Sequence, residues 1–304
     1  MAEILIRQLT DQDDLEALTE GNHLAWWTGL WKAMEIESGV KLHWFAAELD
    51  GEPAGMVALV PLAVAAGGTA SALLNVVPSA RRRGVGSALR EAAEASVRGE
   101  LPGVVYSYDV RSTDTEGALT AWGLDVVARH SESVLDLTAL KAEIQDWSSV
   151  DGVEMRPLPA LEEMSAEDWE SIHAFAQDRF REAPDSRDGG GELPIDLFRA
   201  VIKAPWMLYE AVERGERIGV TFVCDRPTGP DVVNTYFTGV TEAARGPGVA
   251  IALKATQALR MAAEGKQALY TQNMAGNDAI LAANRKLGFV PDSEYADVLV
   301  DLTT

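Results

Sequence analysis

The chain is poor in cysteine: Cys224 is the only one in 304 residues, so no intrachain disulfide can form, and its setting in "GVTFVCDRP" predicts a buried structural thiol on a strand rather than a nucleophile. No apolar run reaches the ~18 residues needed to cross a bilayer. The start "MAEILIRQLTDQDD" lacks the basic flank and apolar middle of a signal peptide, so a soluble, cytoplasmic protein with no membrane partner is expected. Basic residues are also scarce. Lys and Arg number 26 against 47 Asp and Glu, for a formal charge of −21, which repels a phosphate backbone, argues against nucleic-acid binding and favours a cationic partner. The four histidines, His23, His43, His130 and His173, show no metal-ligand spacing, so no metal is implied. An apolar share of 47% is that of globular protein, and the length leaves room for two domains.

What the sequence has is internal repetition. "WFAAELDGEPAGMVALV" (44–60) and "WMLYEAVERGERIGVTFV" (206–223) share a Trp, a Gly-Glu turn and a later Gly. Trp44 lies 162 positions before Trp206, and Gly51, Glu52 and Gly55 lie 164 before Gly215, Glu216 and Gly219. The same 164 separates Arg81 from Arg245, and 165 separates Gly123 from Gly288 in the matching ends "AWGLDVVARHSESVLDL" and "KLGFVPDSEYADVLVDL". At the front, "ILIRQL" with Arg7 and "VEMRPL" with Arg156 are only 149 apart, so about fifteen extra residues enter the second copy, most naturally at the turn-rich "REAPDSRDGGGELP". The boundaries follow: an N-terminal domain at 1–140, a linker at 141–152 and a C-terminal domain at 153–304.

Both copies read in one order. A first strand precedes helical sequence, and two strands then meet in a hairpin at Asp50-Gly51 or Arg214-Gly215. A fourth strand ("ASALLNVVP", "VVNTYFTGV") leads through a glycine loop into a long amphipathic helix, and a short strand, a helix and a last strand close the unit. This is an α/β sandwich with a mixed sheet.

The glycine loop of the first copy, "RRRGVGS", places Arg81, Arg82, Arg83, Gly84, Val85, Gly86 and Ser87 at the mouth of a helix. Unpaired N–H groups and a partial positive charge at a helix start suit phosphate, glycines let the main chain approach it, and arginines suit a diphosphate. There is no G-x-x-x-x-G-K-[ST], and the third glycine of a Rossmann G-x-G-x-x-G is missing after Gly84 and Gly86, so two familiar nucleotide loops are set aside.

V-x-P-x-x-R-x-x-G-x-G, present as Val76, Pro78, Arg81, Gly84 and Gly86, resembles the coenzyme A loop of the GNAT superfamily of N-acetyltransferases. The second copy has the shorter R-x-x-G-x-A form at Arg245, Gly248 and Ala250, and "TQNMAGNDAILAANRKLGF" resembles the superfamily's later T-x-N-x-x-x-N helix. The resemblance covers nearly the whole chain, whose tandem layout is similar to that of mycothiol synthase and of tandem acetyltransferases from actinobacterial biosynthetic clusters. It implies two tandem GNAT-like domains, each a mixed, mostly antiparallel sheet with helices on both faces, with acetyl-CoA as cofactor and a small-molecule, cationic amine as acceptor. Val76, Val77 and the 81–87 loop would hold the cofactor in the first copy. Val240, Arg245, Gly246, Gly248, Val249, Ala250 and Asn277 would do so in the second.

Both copies depart from the family pattern. Many members carry a basic glutamate on the fourth strand, where these copies have Ala70 and Asn234, and a tyrosine acid on the later helix, where they have Ala118 and Asn284. Pro247 removes one N–H from the second loop, but the second copy has the more complete later helix and the longer insertion. Two allocations stay open: a catalytic second copy on a first-copy scaffold, which the intact later helix favours, or a first copy that alone holds acetyl-CoA. Under the favoured one, Tyr236 and Thr238, alternating with Asn234 on one strand face, join Asn284 as catalytic candidates, and Glu182 and Asp185, with Asp188, would bind the amine. The tryptophans of "HLAWWTGLW" could line a first-copy acceptor pocket, though helical spacing fits core packing. The rival from another class is a CoA-binding sensor or interaction protein without turnover.

Overall fold

The computed structural model describes residues 3–303 apart from 21, 23–25, 39–41, 61–68, 111–112, 184–192 and 227–228. In chain order the first run is β1 (Ile4–Gln8), α1 (Leu15–Leu18), α2 (Trp26–Ser38), β2 (His43–Leu49), β3 (Glu52–Val60), β4 (Ala70–Val76), α3 (Val85–Val97), β5 (Gly103–Asp109), α4 (Thr113–Trp122) and β6 (Val126–Asp136). The second is α5 (Ile144–Trp147), β7 (Val153–Pro157), α6 (Ala166–Arg181), α7 (Ile195–Val201), β8 (Leu208–Glu213), β9 (Glu216–Asp225), β10 (Val232–Val240), α8 (Val249–Ala263), β11 (Ala268–Met274), α9 (Asp278–Leu287) and β12 (Val290–Asp301). No helix among the described residues is long and apolar enough to cross a membrane.

The element order matches the repeat, but the compact units do not divide at 141–152. Unit 1 comprises 1–129 with 294–304, and unit 2 comprises 130–293. The sheet of unit 1 runs β1-β2-β3-β4-β5-β12, and that of unit 2 runs β7-β8-β9-β10-β11-β6. Each sheet therefore takes its sixth strand from the other sequence copy. The stretch expected to be a linker is packed into unit 2: Ile144 is buried, Thr256 donates to the Ser148 carbonyl at 2.9 Å, and Lys286 lies over the Trp147 ring.

Within each sheet only the β4–β5 and β10–β11 contacts are parallel, and both are short. β4 and β5 pair from Ala70↔Val104 to Ala72↔Tyr106, and β10 and β11 from Val232↔Ala268 to Thr235↔Thr271, after which the strands part. The hairpins turn where the sequence places them. Asp50 and Gly51 have φ of 54° and 87°, and Arg214 and Gly215 have 52° and 85°, the two left-handed residues of a type I′ turn. A further likeness ties the first two strands of each unit: Arg7 reaches Glu48 at 2.8 Å, and Arg156 reaches Glu210 at 3.2 Å.

Val85, Leu89, Ala93 and Val97 recur every four residues on α3 and make its buried stripe. They join Val57, Leu59 and Val104 of the sheet, with Val298 and Val300 of the exchanged strand. A fully buried valine contributes roughly 1.5–3 kcal/mol, so β12 is integral to unit 1. In unit 2, Val249 and Leu253 of α8 pack on Tyr209 and Ala211. The opposite face is covered by α6, which opens with a Ser165–Asp168 capping box, and by α7, whose Phe198 packs edge-on against Phe222.

One local irregularity corrects the strand reading. The β9–β10 register shifts between Thr235 and Phe237, so Tyr236 is the extra residue of a β-bulge. The alternation breaks there. Phe237 packs with Phe180 and Phe222, whereas Thr238 bonds the Thr221 hydroxyl, which in turn reaches Gln257 of α8. Asn234 and Thr238 thus belong to opposite faces, because a bulge inverts the side-chain phase beyond it.

Candidate functional site

Unit 1 contains a cavity of about 320 Å³ where β4 and β5 part, lined among others by Val76, Arg82, Gly86, Ser87, Tyr106 and Trp122. The loop delivers its backbone donors to this place. Gly84 caps α3 in the left-handed conformation, φ 93°, and the first helical bond runs from Ala88 N–H to the Gly84 carbonyl at 3.1 Å. The N–H groups of Val85, Gly86 and Ser87 therefore have no helical acceptor. Val85 itself is buried, so its side chain anchors the helix and only its N–H is available.

The three arginines divide their tasks. Arg81 donates to the Val76 carbonyl at 3.0 Å, fixing the loop on the end of β4. Arg83 pairs with Asp50 at 2.9 Å across an exposed surface. Arg82, at φ 62°, lines the cavity and has no carboxylate partner among the described residues. Val77 is largely engaged: its N–H bonds the Ala54 carbonyl, its carbonyl accepts from Ala80, and its side chain is buried. Val76 contributes its side chain as wall.

Two features fit an extended ligand carrying amides and an anion. A methyl group added to Gly86 would stand 3.4 Å from Val76 Cγ2 and 3.7 Å from the Trp122 ring, so glycine leaves a shallow cradle open at that point. Trp122 is held there by its indole N–H on Ser87 Oγ, 3.2 Å, and by the Arg90 guanidinium over its ring. Tyr106 has its Oη buried with no hydrogen-bond partner among the described residues, and burial pushes its phenol well above the ordinary range. An orphaned, protonated donor in a cavity wall is a group waiting for an acceptor. Asp109, at the end of β5, adds a carboxylate to the lining.

Unit 2 has the same backbone and different surroundings. Gly246 and Gly248 are left-handed, φ 101° and 96°, and Gly248 caps α8 as Gly84 caps α3. Arg245, however, is paired with Glu182 at 2.6 Å, and Arg179 holds the same carboxylate at 2.9 Å. The amine-binding candidate and the phosphate-binding candidate of the second copy thus neutralise each other. Val249 is core, Val240 packs over Gly219, Ala250 lies in the first turn of α8, and Asn277 starts α9 without capping it. Asp185 and Asp188 lie outside the described residues.

The catalytic candidates of the second copy are also engaged. Asn284 is buried and donates to Asn273 at 2.7 Å, leaving its own Oδ1 unpaired. Tyr236 stacks on Phe222 at 5.3 Å, and burial pushes its phenol up, away from acid chemistry near neutrality. Thr238 is bonded to Thr221. Lys254 is buried with its Nζ 3.5 Å from the Thr271 hydroxyl and over the Phe289 ring, and desolvation pulls its ammonium down to about 7. Cys224 is buried and its thiol pushed up to about 12, which makes it inert. Trp26 and Trp31 of the tryptophan-rich helix are buried, as core packing requires.

Sequence reasoning missed the cavity residues Tyr106, Ser107 and Trp122, and Asp297, whose carboxylate accepts from the Ser107 hydroxyl at 2.6 Å. The last had a signal: Asp297 and Glu132 stand 165 positions apart in the two matching last strands.

Comparison with known proteins agrees with this geometry. Residues 2–119 match the acetyltransferase (GNAT) family model. No curated protein matches the chain in sequence. Among solved structures, a GCN5-related N-acetyltransferase from Sphaerobacter thermophilus has a TM-score of 0.74 at 15% identity, over 98% of this chain and 96% of its own. A tandem GNAT protein from the clavulanic acid biosynthesis pathway gives 0.71 at 19% identity, over 99% of each chain. A GCN5-related glucosamine N-acetyltransferase region of a fungal multi-domain β-N-acetylglucosaminidase gives 0.72 at 15% identity, over 99% of this chain and 38% of that one. The GNAT family model thus matches the first part of the chain, and the fold of both units is that of solved tandem GNAT structures.

Proposed function

We propose that unit 1 binds acetyl-CoA and transfers the acetyl group to the primary amine of a small, cationic acceptor, and that unit 2 is a partner no longer able to hold the cofactor. The observation that carries this allocation is the contrast of the two loops. The loop of unit 1 borders a cavity lined by Arg82, which has no carboxylate partner among the described residues, whereas in unit 2 the loop's arginine, Arg245, is paired with Glu182. This reverses the allocation that the intact later helix favours in the sequence.

Bound acetyl-CoA supplies an acyl group activated as a thioester. Arg82 and the N–H groups of residues 85–87 would neutralise the diphosphate. Val76, Gly86 and Trp122 would enclose the pantetheine arm, and Tyr106 would donate to a carbonyl in it. Asp109 would attract an ammonium group to the lining. Holding amine and thioester side by side supplies most of the rate enhancement such a site needs.

The sensor reading keeps one observation in its favour. Ala70 is buried, and the later-helix position, Leu119 by the 165-residue offset with Ala118 before it, is apolar, so the two usual proton-transfer positions of the family are empty of chemistry in unit 1. Calorimetry with acetyl-CoA tests the allocation. One site is expected, weakened at least tenfold by Arg82→Glu and unchanged by Arg245→Glu, and the reverse pattern overturns it. Free-thiol release with a panel of amines, including putrescine and glucosamine, then separates enzyme from sensor. Tight binding without thiol release for any amine supports the sensor.

A further inference from the structure

Neither usual family position carries a proton-transfer group in unit 1, yet its cavity holds another. β4 and β5 pair as far as Tyr106, and Ser107 is the next residue, the first of β5 beyond the parting of the strands. It is one of the residues that line the cavity. Directly opposite in register stands Asp297 of β12, and Ser107 Oγ donates to Asp297 Oδ1 at 2.6 Å. Asp297 is only 7% exposed, so its carboxylate is shielded from water on a strand that enters the sheet from the end of the second sequence copy.

We propose that Ser107 and Asp297 form the proton-transfer pair of unit 1: Ser107 as the catalytic hydroxyl touching the acceptor amine, Asp297 as the positioning residue acting through it. This rests on the reading that unit 1 is the acetyl-CoA site. A serine hydroxyl that gives its hydrogen to a carboxylate keeps its lone pairs free for a new donor, and a charge-assisted bond of this length fixes their direction. An amine N–H meeting those lone pairs is aligned where the strands open. As the amine nitrogen bonds to the acyl carbon and the C–S bond breaks, one nitrogen-bound proton passes to Ser107 Oγ while the hydroxyl proton moves to Asp297. The departing thiolate recovers one proton by the reverse relay, from Asp297 through the Ser107 hydroxyl. Amine plus thioester thus become amide plus thiol, with the pair restored.

Unit 2 shows the same place built for structure alone. The positions 165 residues away are Gln272 on β11 and Glu132 on β6, also opposite in register and bonded at 3.1 Å. Glu132 is fully buried and receives Arg226 at 2.6 and 3.3 Å and the Ser293 hydroxyl at 3.0 Å. A carboxylate already held by a guanidinium, an amide and a buried hydroxyl is a poor proton acceptor, whereas the hydroxyl that Asp297 receives belongs to a serine lining the cavity.

The test uses the full chain with Asp297→Asn, Ser107→Ala, Ser107→Thr and Asp109→Asn. Asparagine keeps an acceptor for the serine hydroxyl but takes no proton, and Ser107→Ala leaves the buried carboxylate untouched should Asp297→Asn fail to fold. Asp297→Asn and Ser107→Ala should each lower kcat by about tenfold to a hundredfold, with less than a threefold change in KM for the amine and in the acetyl-CoA Kd measured by calorimetry. Ser107→Thr should restore most of kcat. The loss should shrink with hydroxylamine, which is unprotonated at neutral pH. Unchanged kcat in both variants, loss confined to Asp109→Asn, or acetyl-CoA binding in unit 1 with no thioester consumption for any amine or hydroxylamine would overturn the pair. Absence of acetyl-CoA binding in unit 1 would instead overturn the allocation on which it rests.

Discussion

The two units share a strand order, two I′ turns, an Arg–Glu tie between their first strands and a left-handed glycine before the main helix, yet they treat buried charge in opposite ways. Unit 1 leaves a cavity between its parted strands, bordered by Arg82, which is exposed and has no carboxylate partner among the described residues, and by Tyr106, whose hydroxyl is buried and unpaired. In unit 2, Arg245, the counterpart of Arg81, is paired with Glu182, and Glu132, the counterpart of Asp297, is held by Arg226. Buried unpaired atoms occur in both units, Asn234 Oδ1 and Asn284 Oδ1 among those of unit 2. The fold is the same, and the placing of ion pairs tells the two apart.

The sharpest way to break this contrast is at Arg226. Its guanidinium meets Glu132 where neither reaches solvent and also lies over the Tyr270 ring at 3.8 Å. Arg226→Ala strands a buried carboxylate and should cost about 3–5 kcal/mol in urea unfolding. Asp297→Asn in unit 1 should cost far less, because it removes a charge rather than a charge's partner. Equal losses would mean that Asp297 is as structural as Glu132.

Next comes a pair of opposite sign. Lys254 and Arg90 stand 164 positions apart on the two main helices. Arg90 pairs with Glu94 at 2.5 Å and covers the Trp122 ring, so Arg90→Met should destabilise by about 1 kcal/mol. Lys254 is buried with its ammonium pulled from 10.5 down to about 7. As pH falls from about 10.5, the unfolded chain takes the proton first. Stability linked to this group is therefore full at high pH, falls toward pH 7 and then levels. Lys254→Met should be more stable than the parent at pH 7, with the gain shrinking toward pH 10, as urea midpoints at the two pH values would show. No pH dependence of that difference would mean that Lys254 stays charged through a contact with solvent.

These differences also mark what the sequence makes legible. Offsets of 162 to 165 between matching residues carry the repeat, the element order and the turns, because hairpin chemistry and helix starts are local. The exchange of β6 and β12 is invisible in the order of elements, since either pairing gives six strands per sheet. A single inserted residue at Tyr236 inverts the phase of β10, and no composition cue announces it. The loop motif identifies a place for phosphate in both copies, but whether its arginine is free depends on Glu182, 63 residues away. Site residues supplied by another strand, such as Asp297, need three dimensions to find their partners.

A smaller effect separates the glycines of the two loops. Gly86→Ala fills the cradle beside Val76 and Trp122 at a helical position, so it should weaken acetyl-CoA several-fold by calorimetry while leaving stability equal or up by about 1 kcal/mol. Gly248→Ala meets nothing within 4 Å, yet φ of 96° strains any side chain. It should cost about 1 kcal/mol and leave acetyl-CoA binding alone. Ligand effects at Gly248 would place a cofactor in unit 2 after all.

The smallest change asks whether the Glu182–Arg245 pair keeps a ligand out of unit 2. Glu182 and Arg245 are 41% and 53% exposed, so solvent screens their attraction, and Glu182→Ala should shift stability by less than about 1 kcal/mol. If the carboxylate were the only barrier, freeing Arg245 would create a second acetyl-CoA site. The expected stoichiometry is still one, because Pro247 withholds one N–H from the loop and Lys254 stands buried where unit 1 has Arg90 spread over Trp122. A second site in Glu182→Ala would make the ion pair a latch on a competent loop. A single site makes it the residue of a function already lost from the backbone and the interior.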